Sequence, residues 1–559
     1  MTAPKPALSE LPIKRAETGF YRGFSIDVTV ASKIIISALV VWAIFWPVQA
    51  GETLGDWNTL ILANFAAWYI WAVALFVTVC IGLAIWPAAG RLNLGRPGEK
   101  PDFSNFSWFS MMFSAGIGVG MLTWAVAEPV THFAINPEVI QGLTTGGGAD
   151  NVRMAYKWSF LHWGFGAWSC YAIAGLSMAF FSYRRALPLT IRSSLTPIFG
   201  KVLSGPLGHL IDIVAVVATI LGVAQTLGFG AEQFVAGLTR IGIGGLVNAD
   251  GTTNSSGIVI ALILIMGAST LSALSGVRKG IKWLSNINMF LSIILLGFLI
   301  IFGSTFFGGS ALLFGIWDYV IALPQMSINV WGTDGVEGSE AFLLTQWQGS
   351  WPVFYWAWWI AFAPFVGLFL ARISRGRTIR EFVLGAMFVP SLMCFIWFAW
   401  AGGTAIDLEL NGGANGLILD TANGDKIFAM TAFILAPIGE WLAWGMALLI
   451  VVLLMTFLVT SADSAVLIVN TINAGGDEGP KARPHILFWG AALGLVVVGL
   501  LISGGTEAIK MAMVIGALPF SIVMVLMCFA LVMAIYYDGR REAAGVQTTF
   551  ASDNSMPAG

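Results

Sequence analysis

Charge is what this chain has least of. Its 559 residues hold 28 Lys and Arg and 30 Asp and Glu, about a tenth of the total, where a soluble domain carries about a quarter. So few charges cannot cover a chain of this length in water, which excludes a soluble globular enzyme. The net charge of −2 gives no basic field for nucleic acid. Cysteine is equally thin: Cys80, Cys170, Cys394 and Cys528 stand singly inside apolar stretches, with no CxxC pair and no disulfide framework. His132, His162, His209 and His485 lack HExxH or other paired spacing, so no catalytic metal is expected. No GxxxxGK[ST] stretch is present, which argues against an ATP-driven pump. The polar opening MTAPKPALSELPIKRAETGFYRG has no apolar core of a cleavable signal before Asp27.

What the chain has is apolar length, with 57% hydrophobic residues. Runs of spanning length fall near 28–48, 60–85, 107–130, 152–182, 208–238, 256–276, 280–305, 350–373, 379–401, 437–468, 485–503 and 508–537. This predicts an all-α polytopic membrane protein with twelve transmembrane helices. Lys and Arg test that reading independently, because cytoplasmic loops collect them. With the N-terminus inside, 22 of the 28 fall in cytoplasmic segments, and the outside loops 50–58 and 308–349 carry acids but no base. Both termini are therefore expected in the cytoplasm. The cluster RISRGRTIR (372–380) reads first as positive-inside anchoring.

Two helices carry interruptions. In 107–130, Gly116, Gly118 and Gly120 alternate at mid-span. Each costs about 1 kcal/mol of helix propensity, and Gly118 falls off the face that a GxxxG packing motif would use. Local unwinding is expected there. In 350–373, Pro364 removes a donor and Gly367 follows. Interrupted helices in corresponding positions of two halves point to a secondary transporter's binding site. Each one opens a set of five helices, and five being odd, the second set enters the membrane inverted. The division is a tail (1–25), two peripheral helices (26–106), repeat 1 (107–308), an extracytoplasmic amphipathic linker (309–349), repeat 2 (350–538) and a tail (539–559).

Aromatic residues are abundant, with 24 Trp, 39 Phe and 9 Tyr. Interface belts account for Trp347, Trp351, Trp400, Trp441 and Trp444. They do not suit Trp163, Trp168 and Tyr171, which at about 100° per residue share one face of helix 152–182. Nor do they suit Trp356, Trp358, Trp359 and Phe362, which lie inside their span. A fully methylated onium head has no N–H to donate, but the faces of several rings can hold it. Such a box predicts a quaternary ammonium or sulfonium solute.

FYWAWWIAFAPFVGLFLARISRGRTIREF (354–382), MMFSAGIGVGMLTWAVAEP (111–129) and FLVTSADS (457–464) resemble the betaine/choline/carnitine transporter (BCCT) family, over about residues 20–540. The resemblance implies a leucine-transporter-like fold of two inverted five-helix repeats preceded by two extra helices. It also implies a bacterial inner-membrane location, a homotrimer, and uptake of trimethylammonium and related solutes with no cofactor beyond a coupling ion. The family's aromatic box falls on Trp163, Trp168, Tyr171 and Trp359, with Trp358 alongside. Phe362 stands where relatives commonly carry another Trp.

The family's sodium site matches the carbonyls of Ser114, Ile117 and Phe457 with the hydroxyls of Thr460 and Ser461. The plain alternative is that Thr460 and Ser461 bond back to the preceding turn. A second sodium would use Thr219 and Phe365, although Val223 stands where another hydroxyl would help. Relatives handling choline tend to place an acid in the glycine segment, which here ends in Gly120. A zwitterion needs no such counter-charge, so glycine betaine or dimethylsulfoniopropionate is expected over choline or carnitine, its carboxylate meeting backbone N–H groups near Gly116, Gly118 and Gly120. The rivals are a proton-coupled carrier, a sodium-independent exchanger, an ion channel and a membrane-embedded enzyme. For the last, only His162 offers itself, with no evident partner. Asp463, Glu128 and Asp212 are the intramembrane acids.

Overall fold

The computed structural model describes residues 6–116, 118–248, 253–275 and 280–549. It is an all-α polytopic membrane protein, and among the described residues eleven helical stretches are long and apolar enough to cross a bilayer. The first two helices are α1 (Ile26–Phe45) and α2 (Pro47–Ile85). The expected span 107–130 is two pieces, α3 (Asn105–Gly116) and α4 (Val119–Ala134). Between them Gly118 is fully extended, at φ −154° and ψ −175°.

The span read as 152–182 is likewise divided, into α5 (Val152–Trp163) and α6 (Phe165–Ala179), with Gly164 non-helical at φ −93°, ψ −142°. That interruption corrects the single-helix reading used to place Trp163, Trp168 and Tyr171 on one face. The next helices are α7 (Pro206–Arg240), α8 (Ser255–Ser275) and α9 (Gly280–Phe302).

The expected linker 309–349 contains most of an apolar helix, α10 (Thr305–Met326), which is itself of spanning length. It packs along α5, and its Tyr319 hydroxyl accepts the Phe165 backbone N–H at 2.8 Å. The amide freed by the Gly164 break thus finds a partner outside its own helix. A short helix, α11 (Glu340–Gln348), runs through a π-helical turn at Gly349–Val353 into α12 (Phe354–Ile373).

α12 is continuous through Pro364, contrary to the expected interruption. A proline removes one backbone bond, and here close packing holds the helix on both sides of that loss. A Cβ on Gly367 would come within 2.7 Å of Ala174 and 2.9 Å of the Gly175 nitrogen, so α6 and α12 meet backbone to backbone through small residues. Beyond lie α13 (Ile379–Leu410), α14 (Lys426–Leu435), α15 (Glu440–Asn473) and α16 (Arg483–Ala543). α16 breaks at Gly504 and Gly505, where the sequence separates the last two spans. Gly505, at φ +68°, is left-handed and suits only glycine.

The arginine cluster beside α12 makes specific bonds. Arg377 stacks 4.3 Å from the Trp108 ring, Trp108 donates to Ser374 at 3.0 Å, Arg375 pairs with Glu99 at 2.6 Å, and Arg380 donates to the Ala84 carbonyl at 2.7 Å. Thr378 and Glu381 close a reciprocal cap on α13.

Candidate functional site

The restart at α4 and the facing walls of α6 and α12 enclose a cavity of about 390 Å³, within the range of small-molecule sites. Trp163, Trp168, Tyr171, Trp358, Trp359 and Phe362 all line it, together with Gly118 and Gly120. The rings are set against one another. Trp358 and Trp359 stack at 5.2 Å and 8°, and Trp359 meets Trp163 edge-on at 5.0 Å and Tyr171 at 6.0 Å. Hydrogen bonds fix two of them: Trp359 Nε1 donates to the His162 carbonyl at 2.9 Å, and Trp168 Nε1 to the Trp163 carbonyl at 3.2 Å. The indole N–H of Trp358 is buried and makes no hydrogen bond among the described residues.

Gly120 is where the main chain comes closest to the rings. A Cβ there would lie 3.0 Å from Trp358 and 3.4 Å from Trp163, so any larger residue would intrude on both rings. The glycine run therefore serves close approach as well as unwinding. Gly116, Ser114 and Ile117 belong to the segment 113–117; Ile117 and the side chains of the others lie outside the described residues.

Phe457, Thr460 and Ser461 also line the cavity, facing Gly118. Thr460 donates to the carbonyls of Thr456 (3.0 Å) and Phe457 (3.1 Å) and accepts from Asn288 Nδ2 at 3.3 Å. Phe365 reaches the cavity. Thr219 is fully buried, bonded back to Ala215 at 2.8 Å, and is not among the lining residues. Towards the arginine-rich end the lining continues to Ile468 and Arg372, whose guanidinium pairs with Glu478.

The sequence reading missed what stands behind the box. His162 has a partner after all: its Nδ1 lies 2.6 Å from Glu128 Oε1. Glu128 Oε2 accepts from Trp163 Nε1 at 2.7 Å and from the Tyr355 hydroxyl. His132, one turn along α4, places Nε2 3.4 Å from Glu128 Oε1. The i, i+4 spacing of Glu128 and His132 was the available signal. Of the other acids, Asp463 accepts from Ser272 at 2.6 Å, and Asp212 pairs with Arg192.

Known proteins are similar to this chain over most of its length. The family described as "BCCT, betaine/carnitine/choline family transporter" matches residues 27–540. The chain is 36% identical over 512 residues to the glycine betaine transporter OpuD of Bacillus subtilis, covering 91% of this chain and 94% of that one. It is 35% identical over 494 residues to a glycine betaine transporter of Acinetobacter baylyi, covering 88% and 70%. It is 36% identical over 489 residues to the osmo-independent choline transporter BetT1 of the same organism, covering 86% and 88%. An unwound glycine segment facing a wall of tryptophans, in a chain matched almost end to end, leaves one assignment: the protein belongs to the betaine/carnitine/choline transporter family and is a multi-pass membrane carrier, not an enzyme.

Proposed function

We propose that the chain takes up a zwitterionic onium solute, glycine betaine or dimethylsulfoniopropionate, by sodium symport across a bacterial cytoplasmic membrane. The observation that carries this reading is the convergence of Trp163, Trp168, Tyr171, Trp358, Trp359 and Phe362 on one cavity beside the unwound end of α4. An onium head among those rings gains about 0.5–2 kcal/mol from each favourable face. The solute's carboxylate meets the backbone N–H groups of the glycine segment. Two relatives described as glycine betaine transporters agree with this.

In this proposal α3 and α4 form one broken crossing, α16 forms two, and α10 lies outside the crossing bundle. The result is twelve spans, a five-plus-five inverted repeat preceded by two helices, with both termini cytoplasmic and three copies assembled. With this topology the Arg372 end of the cavity faces the cytoplasm. Sodium sits between the glycine segment and Phe457, Thr460 and Ser461, holding the unwound segment while the box fills. The placement of Thr219 does not favour a second ion.

A choline-type cation is the second reading. It is favoured by the Glu128 carboxylate, hydrogen-bonded to the back of Trp163, and by the resemblance to a choline transporter. Uptake into proteoliposomes under a sodium gradient, screened over glycine betaine, dimethylsulfoniopropionate, choline and carnitine, separates the readings. Accumulation of either zwitterion only when sodium is present outside is expected, and sodium-independent accumulation refutes the coupling. Replacing Thr460 by Val and Ser461 by Ala should raise the sodium concentration for half-maximal uptake about tenfold, equivalent to ~1.4 kcal/mol of ion binding. An unchanged sodium dependence would remove these hydroxyls from the ion site.

A further inference from the structure

Glu128, His132 and His162 form a fully buried cluster on α4 and α5, with one ligand atom of each within 4.8 Å of the others. Ionisable groups at such depth in a membrane protein are expensive and call for a function. The hydrogen-bond inventory is unbalanced. Glu128 accepts from His162, Trp163 and Tyr355, so His162 carries its hydrogen on Nδ1. His162 Nε2 is left as a bare, buried lone pair, and a neutral His132, whose Nε2 lies 3.4 Å from Glu128 Oε1, has one ring nitrogen without a hydrogen. The carboxylate is supplied with donors while the imidazoles are not. A neutral His132 with its hydrogen on Nε2 already points it at Glu128 Oε1 across the 3.4 Å approach, so one more hydrogen goes to Nδ1 and makes that contact an ion pair.

We infer that this cluster is a binding site for one proton, linked to occupancy of the aromatic cavity. The link is structural. Trp163, which donates to Glu128, and Trp359, which donates to the His162 carbonyl, are both walls of the cavity. A metal ion fits less well, because it would have to displace the three donors already on Glu128. The proton comes from bulk water and returns to it.

The surroundings add no competing charge. The other ionisable groups nearby pair with one another: Lys157 of α5 with Glu138 of the turn after α4, which also accepts from Trp158, and Arg153 of α5 with Asp318 of α10. α12 contributes Tyr355, and α11 with its following turn contributes only Trp347 and Trp351 rings. α13 presents no charged side chain along its buried stretch. Gln233 of α7 is neutral and bonded to Thr123. Lys426 of α14 gives its ammonium to the carbonyls of Ile418, Leu419 and Thr421. Asp463 of α15 is bonded to Ser272 and Ser464.

The sign of the linkage follows from charge. Protonation of His132 cancels the net charge of the cluster behind Trp163, so an onium head binds better to the deprotonated cluster and expels the proton. This rests on the cavity being the onium site, and the test separates the two claims. Purified full-length protein in detergent is titrated with glycine betaine, dimethylsulfoniopropionate, choline and carnitine. Tryptophan fluorescence reports binding, and a pH-indicator dye in weak buffer reports proton exchange. Glycine betaine and choline have no group that ionises between about pH 5.5 and 8, the range that brackets histidine.

Up to one proton released per chain on binding is expected, with affinity about tenfold weaker at the acid end, where the proton must first be displaced. His132→Asn, which removes the ionisable ring and keeps a neutral donor, should bind the same probe without releasing a proton. Glu128→Gln should show a pH-independent affinity near the wild-type acid value. If a probe binds with no proton exchange and the same affinity throughout that range, the inference is overturned. If none of the four probes changes the fluorescence, the reading of the cavity fails instead, and this inference with it.

Discussion

Replacing Trp359 by Leu is expected to abolish onium uptake in proteoliposomes while leaving the protein monodisperse and folded. Trp359 stacks on Trp358 and Tyr355, meets Trp163 and Tyr171 edge-on, and donates to the His162 carbonyl. Leucine fills part of the volume but offers no π face to a cation. The direct loss is one cation–π partner, about 2 kcal/mol at a desolvated site, or roughly thirtyfold in affinity. Loss of the ring's contacts with Trp163 and Tyr171 frees the two neighbouring walls, which takes the effect beyond that figure. Trp359→Phe keeps a face and loses the N–H, so it should fall between leucine and wild type. Full transport by the leucine variant, measured at substrate concentrations below half-saturation, would end the assignment of the box.

The second large effect concerns stability. Arg192 and Asp212 are both completely buried and meet at 2.7 Å through the guanidinium Nε. Arg192 also donates its backbone N–H to the same carboxylate at 3.3 Å and Nη1 to the Leu203 carbonyl at 3.3 Å. The pair ties the short turn Arg192–Leu195 to the first turns of α7. Removing one partner strands a charge without solvent, so Arg192→Met should cost about 3–5 kcal/mol. The double variant Arg192→Met, Asp212→Leu should recover most of that loss, because an apolar pair leaves no charge unpaired. Thermal unfolding in detergent compares the three proteins. Equal stability of the single and double variants would show that the pair is not the source of the effect.

How much of this was legible depended on whether a signal lay within one stretch of sequence. The unwinding around Gly118 was readable because three alternating glycines cost helix propensity in one place. The break at Gly164 was not, since a lone glycine inside an apolar run is usually tolerated and the group that compensates it, Tyr319, lies 154 residues further on. Pro364 misled in the other direction. Its missing donor is evident in the sequence, but the close seating of Gly367 on α6 that keeps α12 continuous is a tertiary property. The aromatic residues of the cavity could be picked out because they sit too deep in their spans to be interface anchors. The cluster behind them could be picked out only in part: Glu128 and His132 share a helix face, whereas His162 and Tyr355 arrive from two other helices.

The hydroxyl of Tyr319 has a wider consequence. The hinge between Trp163 and Trp168 is closed by an outrigger, since α10 is mostly exposed and touches the inner bundle along one edge. The relative bearing of two walls of the cavity is therefore set from the periphery, at a joint in contact with no part of the cargo. A change that tilts α10, such as a different residue at Gly315 where Phe160 and Tyr156 press close, reaches the gauge of the box without altering any ring in it. Selectivity in this carrier is thus open to adjustment from its rim.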